Sequence, residues 1–241
     1  MTTAHLECAS GAAGDMWLGA VVDAGASLER IQDAVDRLGM GDVRLTWGRV
    51  RRAGTPALSV RVRPPHGTTT PETWPAIRRL LEDAGLPDAV RDRAHAVFRR
   101  LAEAEASVAG VPVDGVRFPT VGTLDRLGDV VGTCAGVADL GLRRITVGPI
   151  ATGSGRVDRP LGAVEVPSPT VVALLRDHRL VATDVASELV TATGAALIAE
   201  LTEAVQTAPE LDVARIGVGA GAADLAHPNV LRLLVGEPAA T

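Results

Sequence analysis

Apolar positions along this 241-residue chain alternate between two periods, one helical and one extended. Residues 5–9 read as a short strand, and Met16, Leu18, Ala20, Val21 and Val22 continue as a helix over 15–24. Gly25 stops it. Ser27 caps a second helix running to Leu38, with Glu29, Arg30, Asp33 and Arg37 on its wet face. Residues 43–50 and 58–63 change to strict alternation, the period of half-buried strands, and residues 51–56 join them as a hairpin. The Pro/Thr-rich run 64–71 is the clearest linker in the chain.

Helical spacing returns over 72–84 and 88–108, broken by Gly85-Leu-Pro87, and again over 125–140. Residues 144–147 form a short strand, and the Gly/Pro-rich stretch 148–169 follows, too polar at the backbone for core and too small-residued for an ordinary loop. Helices are expected at 170–176 and 193–205, with closing strands at 215–218 and 229–235. Strands and helices mix without a repeating strand–helix unit, so the expected class is α+β: short mixed sheets covered by helices, with Gly/Pro-rich loops around a pocket. The linker divides the chain into an N-terminal α/β subdomain, 1–63, and a main domain, 72–241, unless the two form one compact unit.

Composition narrows the function classes. The chain carries −5 net charge and no Lys, which excludes a Schiff-base lysine and a Walker-type phosphate lysine. Arginines interspersed with acids, and almost no aromatic side chains, argue against nucleic-acid binding. Cys8 and Cys134 form no Cys-x-x-Cys pair, and no two histidines stand at metal-ligand spacing. No basic leader precedes an apolar core and no apolar run reaches spanning length, so a soluble, cytoplasmic protein without a membrane partner is expected. The aliphatic surplus permits a homodimer.

The candidate chemistry sits in Gly/Ser/Thr/Asp turns. Glu7 and Asp15 flank Ser10-Gly-Ala-Ala-Gly14 at a strand-to-helix turn, where backbone N–H groups approach an anion and where Asp15 would equally serve as a helix cap. Asp125 and Asp129 lie four apart on one helix face, fit for a hard cation or for acid and base roles, or for ordinary pairing with Arg126. Ser154 and Ser168 belong to a hydroxyl-rich region able to bind oxyanions or simply to form loops. Glu188, Thr191 and Thr193 precede or open a helix, an arrangement suited to an anion site and also to capping. Gly217-Val-Gly-Ala-Gly221 lacks the strand–helix context of a dinucleotide fingerprint.

Taken in order, these segments resemble a known family. Ser10-Gly-Ala-Ala-Gly-Asp-Met16, Arg100-Leu-Ala-Glu-Ala-Glu105, Val121-Gly-Thr-Leu-Asp-Arg-Leu-Gly-Asp-Val-Val-Gly132 and Gly153-Ser-Gly155 are similar to segments of the LarC family. So are Val166-Pro-Ser-Pro169, Glu188-Leu-Val-Thr-Ala-Thr-Gly-Ala-Ala-Leu197, Gly217-Val-Gly-Ala-Gly221 and Pro228-Asn-Val-Leu-Arg232. The resemblance implies nickel insertion into a nickel-pincer nucleotide cofactor. It covers the family's N-terminal region, from about His5 to Gly236. The family's C-terminal domain, associated with cytidine-nucleotide use, has no counterpart before Thr241.

Against the family pattern, Arg117-Phe-Pro-Thr120 replaces a His-Phe-His-Glu segment, Ala109-Gly110 and Leu161-Gly162 replace His-Gly pairs, and Glu7 replaces an Asp. A His-rich loop is reduced to His66. Because nickel prefers imidazole nitrogens, these departures lead to the expectation that the metal site is lost and no cofactor is needed. The expected function is then metal-independent acid–base chemistry of cyclase, lyase or isomerase type on an anionic or heteroaromatic small molecule. Asp15, Asp125 and Glu188 would be catalytic; Glu7, Ser10, Arg117, Thr120, Asp129, Ser154, Ser168, Thr191 and Thr193 would bind substrate. The alternatives are a nickel-insertion component, with nickel or magnesium, and a non-catalytic ligand-binding subunit.

Overall fold

A computed structural model describes residues 2–63, 71–118, 124–159 and 162–239. The chain begins with β1 (Thr3–Cys8), then α1 (Gly14–Asp23) and α2 (Leu28–Asp36). The hairpin β2 (Arg44–Arg52) and β3 (Thr55–Arg63) precedes α3 (Trp74–Asp83), α4 (Asp88–Ala109) and α5 (Leu124–Asp139). β4 (Arg144–Thr152), β5 (Arg156–Arg159), β6 (Gly162–Glu165), α6 (Pro169–Leu174) and β7 (Leu180–Ala182) follow. The chain closes with α7 (Ala192–Leu201), β8 (Glu203–Ala204), β9 (Leu211–Ala220) and β10 (Val230–Pro238). The expected α+β class holds.

Eight strands form one mixed sheet in the order β2-β3-β9-β10-β1-β4-β7, with β8 also against β4; β5 and β6 form a separate two-stranded ribbon. β1 lies between β10, antiparallel, and β4, parallel. The first strand of the sequence is therefore central to the sheet. The helices carry most of the aliphatic core, around the fully buried Trp17 and Phe98. A smaller cluster, Ala57, Ala220 and Val230, is packed by Val50 and Val218. Among the described residues no helix is long and apolar enough to cross a membrane.

Local chemistry explains the element ends. Ser27 caps α2 by accepting from the Arg30 N–H at 3.3 Å, and its own N–H donates to Asp139 at 2.7 Å, tying the start of α2 to the end of α5. The β2–β3 turn is tighter than the sequence suggests. Only Ala53 and Gly54 lie between the strands, both at positive φ (42° and 85°), which matches the right-handed twist of the flanking strands.

The Gly/Pro-rich stretch 148–169 is partly sheet. β4 runs on through Gly148 and Pro149 across a register shift against β1: Leu6 pairs with Val147 and Cys8 with Ile150, which pairs with Leu180 on its other side. Residues 156–165 fold as the β5–β6 ribbon. Helix α7 ends earlier than its apolar run, at Leu201, because Thr202 is extended and β8 joins β4. The short β7 and β8 give too few residues for a period to be read.

The glycines of β9 set the position of α1. A Cβ on Gly219 would stand 1.8 Å from the Met16 carbonyl oxygen, and one on Gly217 would stand 2.0 Å from that of Ala20. The helix backbone therefore rests directly on the strand. This accounts for Gly217-Val-Gly-Ala-Gly221 as packing rather than phosphate binding at its first two glycines.

Candidate functional site

The site starts from two loops zipped together. The Ala12 N–H donates to the Leu189 carbonyl at 2.9 Å, and the Thr191 N–H donates to the Ala12 carbonyl at 3.0 Å. Glycine allows this approach. A Cβ on Gly11, where φ is +83°, would lie 2.0 Å from the Leu189 oxygen; one on Gly194 would lie 2.2 Å from the Ala12 oxygen. The starts of α1 and α7 are thereby held beside each other.

Beside these helix starts lies a pocket of about 340 Å³, within the range of small-molecule sites. Gly14 and Asp15 line it from α1, Arg61 and Arg63 from β3, and Arg126 and Asp129 from α5. Glu188, Thr191 and Thr193 contribute from the approach to α7, and Gly221 and Asn229 from the β9–β10 connection. Asn229 Nδ2 donates to the Ala223 carbonyl at 2.9 Å, which folds that connection back on itself.

Three carboxylates and three guanidinium groups share this space. Arg61 pairs with Asp15 at 2.7 Å, and Asp15 Oδ1 also accepts the Met16 N–H at 2.9 Å. Burial pushes the Asp15 carboxyl above its ordinary range, while Arg61 and, more weakly, Arg126 pull it back. Asp129 lies against the start of α1, since a Cβ on Gly14 would meet its Oδ2 at 2.8 Å. Thr191 caps α7, its hydroxyl accepting the Gly194 N–H at 3.1 Å. Thr193 is only 2% exposed, and its hydroxyl has no partner among the described residues.

Of the residues singled out from the sequence, Asp15, Asp129, Glu188, Thr191 and Thr193 meet here. The other described ones are elsewhere. Glu7 pairs with Arg232 across the β1–β10 register. Ser10 is buried in the turn before α1, and the Ser154 N–H donates to the Val185 carbonyl at 2.9 Å. Ser168 caps α6 through the Val171 N–H. Arg117 is exposed and 3.7 Å from Glu72. Asp125 falls in the first turn of α5, but its side chain, like Thr120 and His66, lies outside the described residues.

The sequence reading missed Arg61, Arg63 and Asn229. The two arginines alternate with Val60 and Val62, a pattern that reads as the wet face of a strand. Among the described residues no three His, Cys, Asp or Glu side chains converge as a metal-ligating group. His5 is buried against Thr146, with burial holding its ring below the usual imidazole range, and His95 packs against Trp74 with the rings tilted by 59°.

Comparison with known proteins decides the family. The nickel insertion protein family matches residues 4–241. The chain belongs to the nickel insertion protein family. A relative from Nocardioides sp., named pyridinium-3,5-bisthiocarboxylic acid mononucleotide nickel insertion protein, is 45% identical over 99% of this chain and 61% of its own length. A putative nickel insertion protein from Thermomicrobium roseum is 44% identical over 98% of this chain and 58% of its own, and one from Synechococcus sp. is 40% identical. The chain spans about three-fifths of the length of these curated relatives. No solved structure matches it.

Membership corrects the expectation of a metal-independent cyclase, lyase or isomerase without a cofactor. That expectation rested on imidazoles missing at a few positions and on the premise that this chain must supply nitrogen donors there. Relatives matching nearly the whole chain are named for nickel insertion, so those replacements are no ground for removing nickel from the function or for treating the metal ligands as lost.

Proposed function

We propose that this chain forms the pocket in which a nickel insertion protein brings Ni²⁺ to a pyridinium bisthiocarboxylic acid mononucleotide, with nickel as a substrate. One observation carries the reading: three arginines and three carboxylates from four separate parts of the chain line a single pocket of about 340 Å³.

The substrate class named for the Nocardioides relative combines a cationic ring, two thiocarboxylate arms and a phosphate. Arg61, Arg63 and Arg126 are suited to its anionic groups, since guanidinium binds such oxygens through two parallel hydrogen bonds. Asp15, Asp129 and Glu188 put negative charge on the same walls without converging as a three-ligand group. They offer hard oxygen, whereas the thiocarboxylates offer soft sulfur, so nickel is favoured on the substrate by donor type. The chain's own thiols are withheld. Cys8 and Cys134 are fully buried; burial pushes the Cys134 thiol up to about 12 and Cys8 higher still, so both keep their protons.

Metal analysis after gel filtration tests this. The chain should retain about one nickel per molecule when the bisthiocarboxylic mononucleotide is present, and the Asp129→Asn, Glu188→Gln double variant, shown by circular dichroism to be folded, should retain several-fold less. Equal nickel retention with both carboxylates neutralised would overturn the reading.

A further inference from the structure

We propose that the start of α7 is the phosphate subsite of this pocket, with the Thr193 hydroxyl and the first-turn N–H groups of Ala192 and Thr193 as its donors. The proposal rests on the mononucleotide reading above and assigns one end of that ligand. α7 has ten residues, and its first N–H groups have no acceptor within the helix. Thr191 satisfies the third of them, on Gly194, leaving the two before it. The dipole of the helix adds partial positive charge at the same point.

Thr193 supplies the independent observation. It lines the pocket, it is 2% exposed, and its hydroxyl has no hydrogen-bond partner among the described residues. Buried hydroxyls nearly always have one, so an unpartnered donor on a pocket wall marks the place of a ligand acceptor.

The neighbouring helix start does not compete. In α1 the Met16 N–H is already taken by Asp15 Oδ1, and the Asp129 carboxylate lies against Gly14. An anion there would meet two carboxylates. At α7 the adjoining pocket carboxylate is Glu188, and Arg63 lines the same pocket, while Arg61 and Arg126 act on Asp15 at the α1 side.

Three donors at one point suit a group with three terminal oxygens, which is phosphate; a carboxylate presents two. The assignment also leaves the sulfur-bearing arms for the side of Asp15 and Asp129.

The test is calorimetric titration without metal, using ribose 5-phosphate, ribose and pyridine-3,5-dicarboxylate as probes. Ribose 5-phosphate should bind and ribose should not. Thr193→Val should weaken ribose 5-phosphate by about tenfold, Thr193→Ser should restore it, and pyridine-3,5-dicarboxylate should be unaffected. Tm should not fall, since the lost hydroxyl bonds to none of the described residues; Thr193→Ala provides the same deletion if Val packs poorly.

Ribose 5-phosphate that fails to bind, or binds both proteins equally, overturns the assignment. So does selective loss of pyridine-3,5-dicarboxylate, which would make the subsite a carboxylate's. Phosphate binding without nickel retention would leave the subsite standing and remove the nickel reading. Nickel retention with wild-type dependence on mononucleotide in Thr193→Val would do the reverse.

Discussion

At the level of single residues, the Arg61–Asp15 pair decides how the pocket responds to pH. Both side chains are largely buried, at 28% and 14% exposure, so their separation of 2.7 Å matters more than a surface pair would. Burial raises the Asp15 pKa in the folded state above its unfolded value. The folded protein therefore binds that proton more readily, and the contribution of Asp15 to stability is largest in acid and lost as pH rises through the folded pKa. Removing the counter-charge in Arg61→Met extends that loss. The variant should be less stable at pH 7 by about 1–3 kcal/mol, and urea melts from pH 8 to pH 4 should show the deficit shrinking as Asp15 protonates. A deficit constant with pH would mean that Arg61 acts only through packing. Asp15 was visible in the sequence because it opens a helix after a glycine turn. Arg61 was not, because nothing in an alternating strand says which polar position borders a pocket formed with residues 126 and 188.

At the level of elements, the site depends on two helix starts held side by side, and glycine is what allows it. Alanine normally favours a helix over glycine by about 1 kcal/mol. At Gly194 the sign should reverse, because a Cβ would sit 2.2 Å from the Ala12 oxygen and force the zipped loops apart. Gly194→Ala should cost about 2 kcal/mol or more and should also weaken ligand binding. Gly48→Ala on β2 is the matched control: nothing lies within 4 Å of its Cβ, so it should be neutral or stabilising by about 0.5 kcal/mol. Denaturation of the two variants against the parent measures both signs; a stabilising Gly194→Ala would show that the helix starts can separate freely. The existence of these helices followed from apolar spacing, and each lies within two or three residues of its expected start. Their adjacency did not follow, since the contact between residues 12 and 190 is a pairing of two short backbone segments whose side chains, Ala, Gly and Val, carry no signal for it. The strand ends of 148–165 were hidden for a related reason. Their glycines and prolines read as breakers, while strands at residues 3–8 and 180–182 hold the end of β4 extended and β5 and β6 hold each other.

At the level of the whole molecule, the two halves suggested by the 64–71 linker are interleaved in space. β1 is inserted between β10 and β4, and the β2–β3 hairpin joins the sheet through β9. Helix α1 rests on β9 and packs with α5 in the same core. The N-terminal part before the linker thus contributes strands to both the middle and one edge of a sheet completed by residues 144–238. Removing either part would expose unpaired ladder groups and a large apolar area at once, so the two should unfold together rather than in steps. The three tryptophans make this measurable. Trp17 and Trp74 are buried, at 0% and 3% exposure, in helices on either side of the linker, whereas Trp47 is 62% exposed and would blur the signal. Variants keeping only Trp17 or only Trp74, the others changed to Phe, should give urea midpoints and m-values that coincide with each other and with far-UV circular dichroism. Separate midpoints would mark residues 1–63 and 72–241 as independent units. Coincidence would mean that the pocket, whose walls come from both sides of the linker, forms only in the fully folded chain, so that any substitution destabilising the sheet also lowers the fraction of molecules able to bind a ligand.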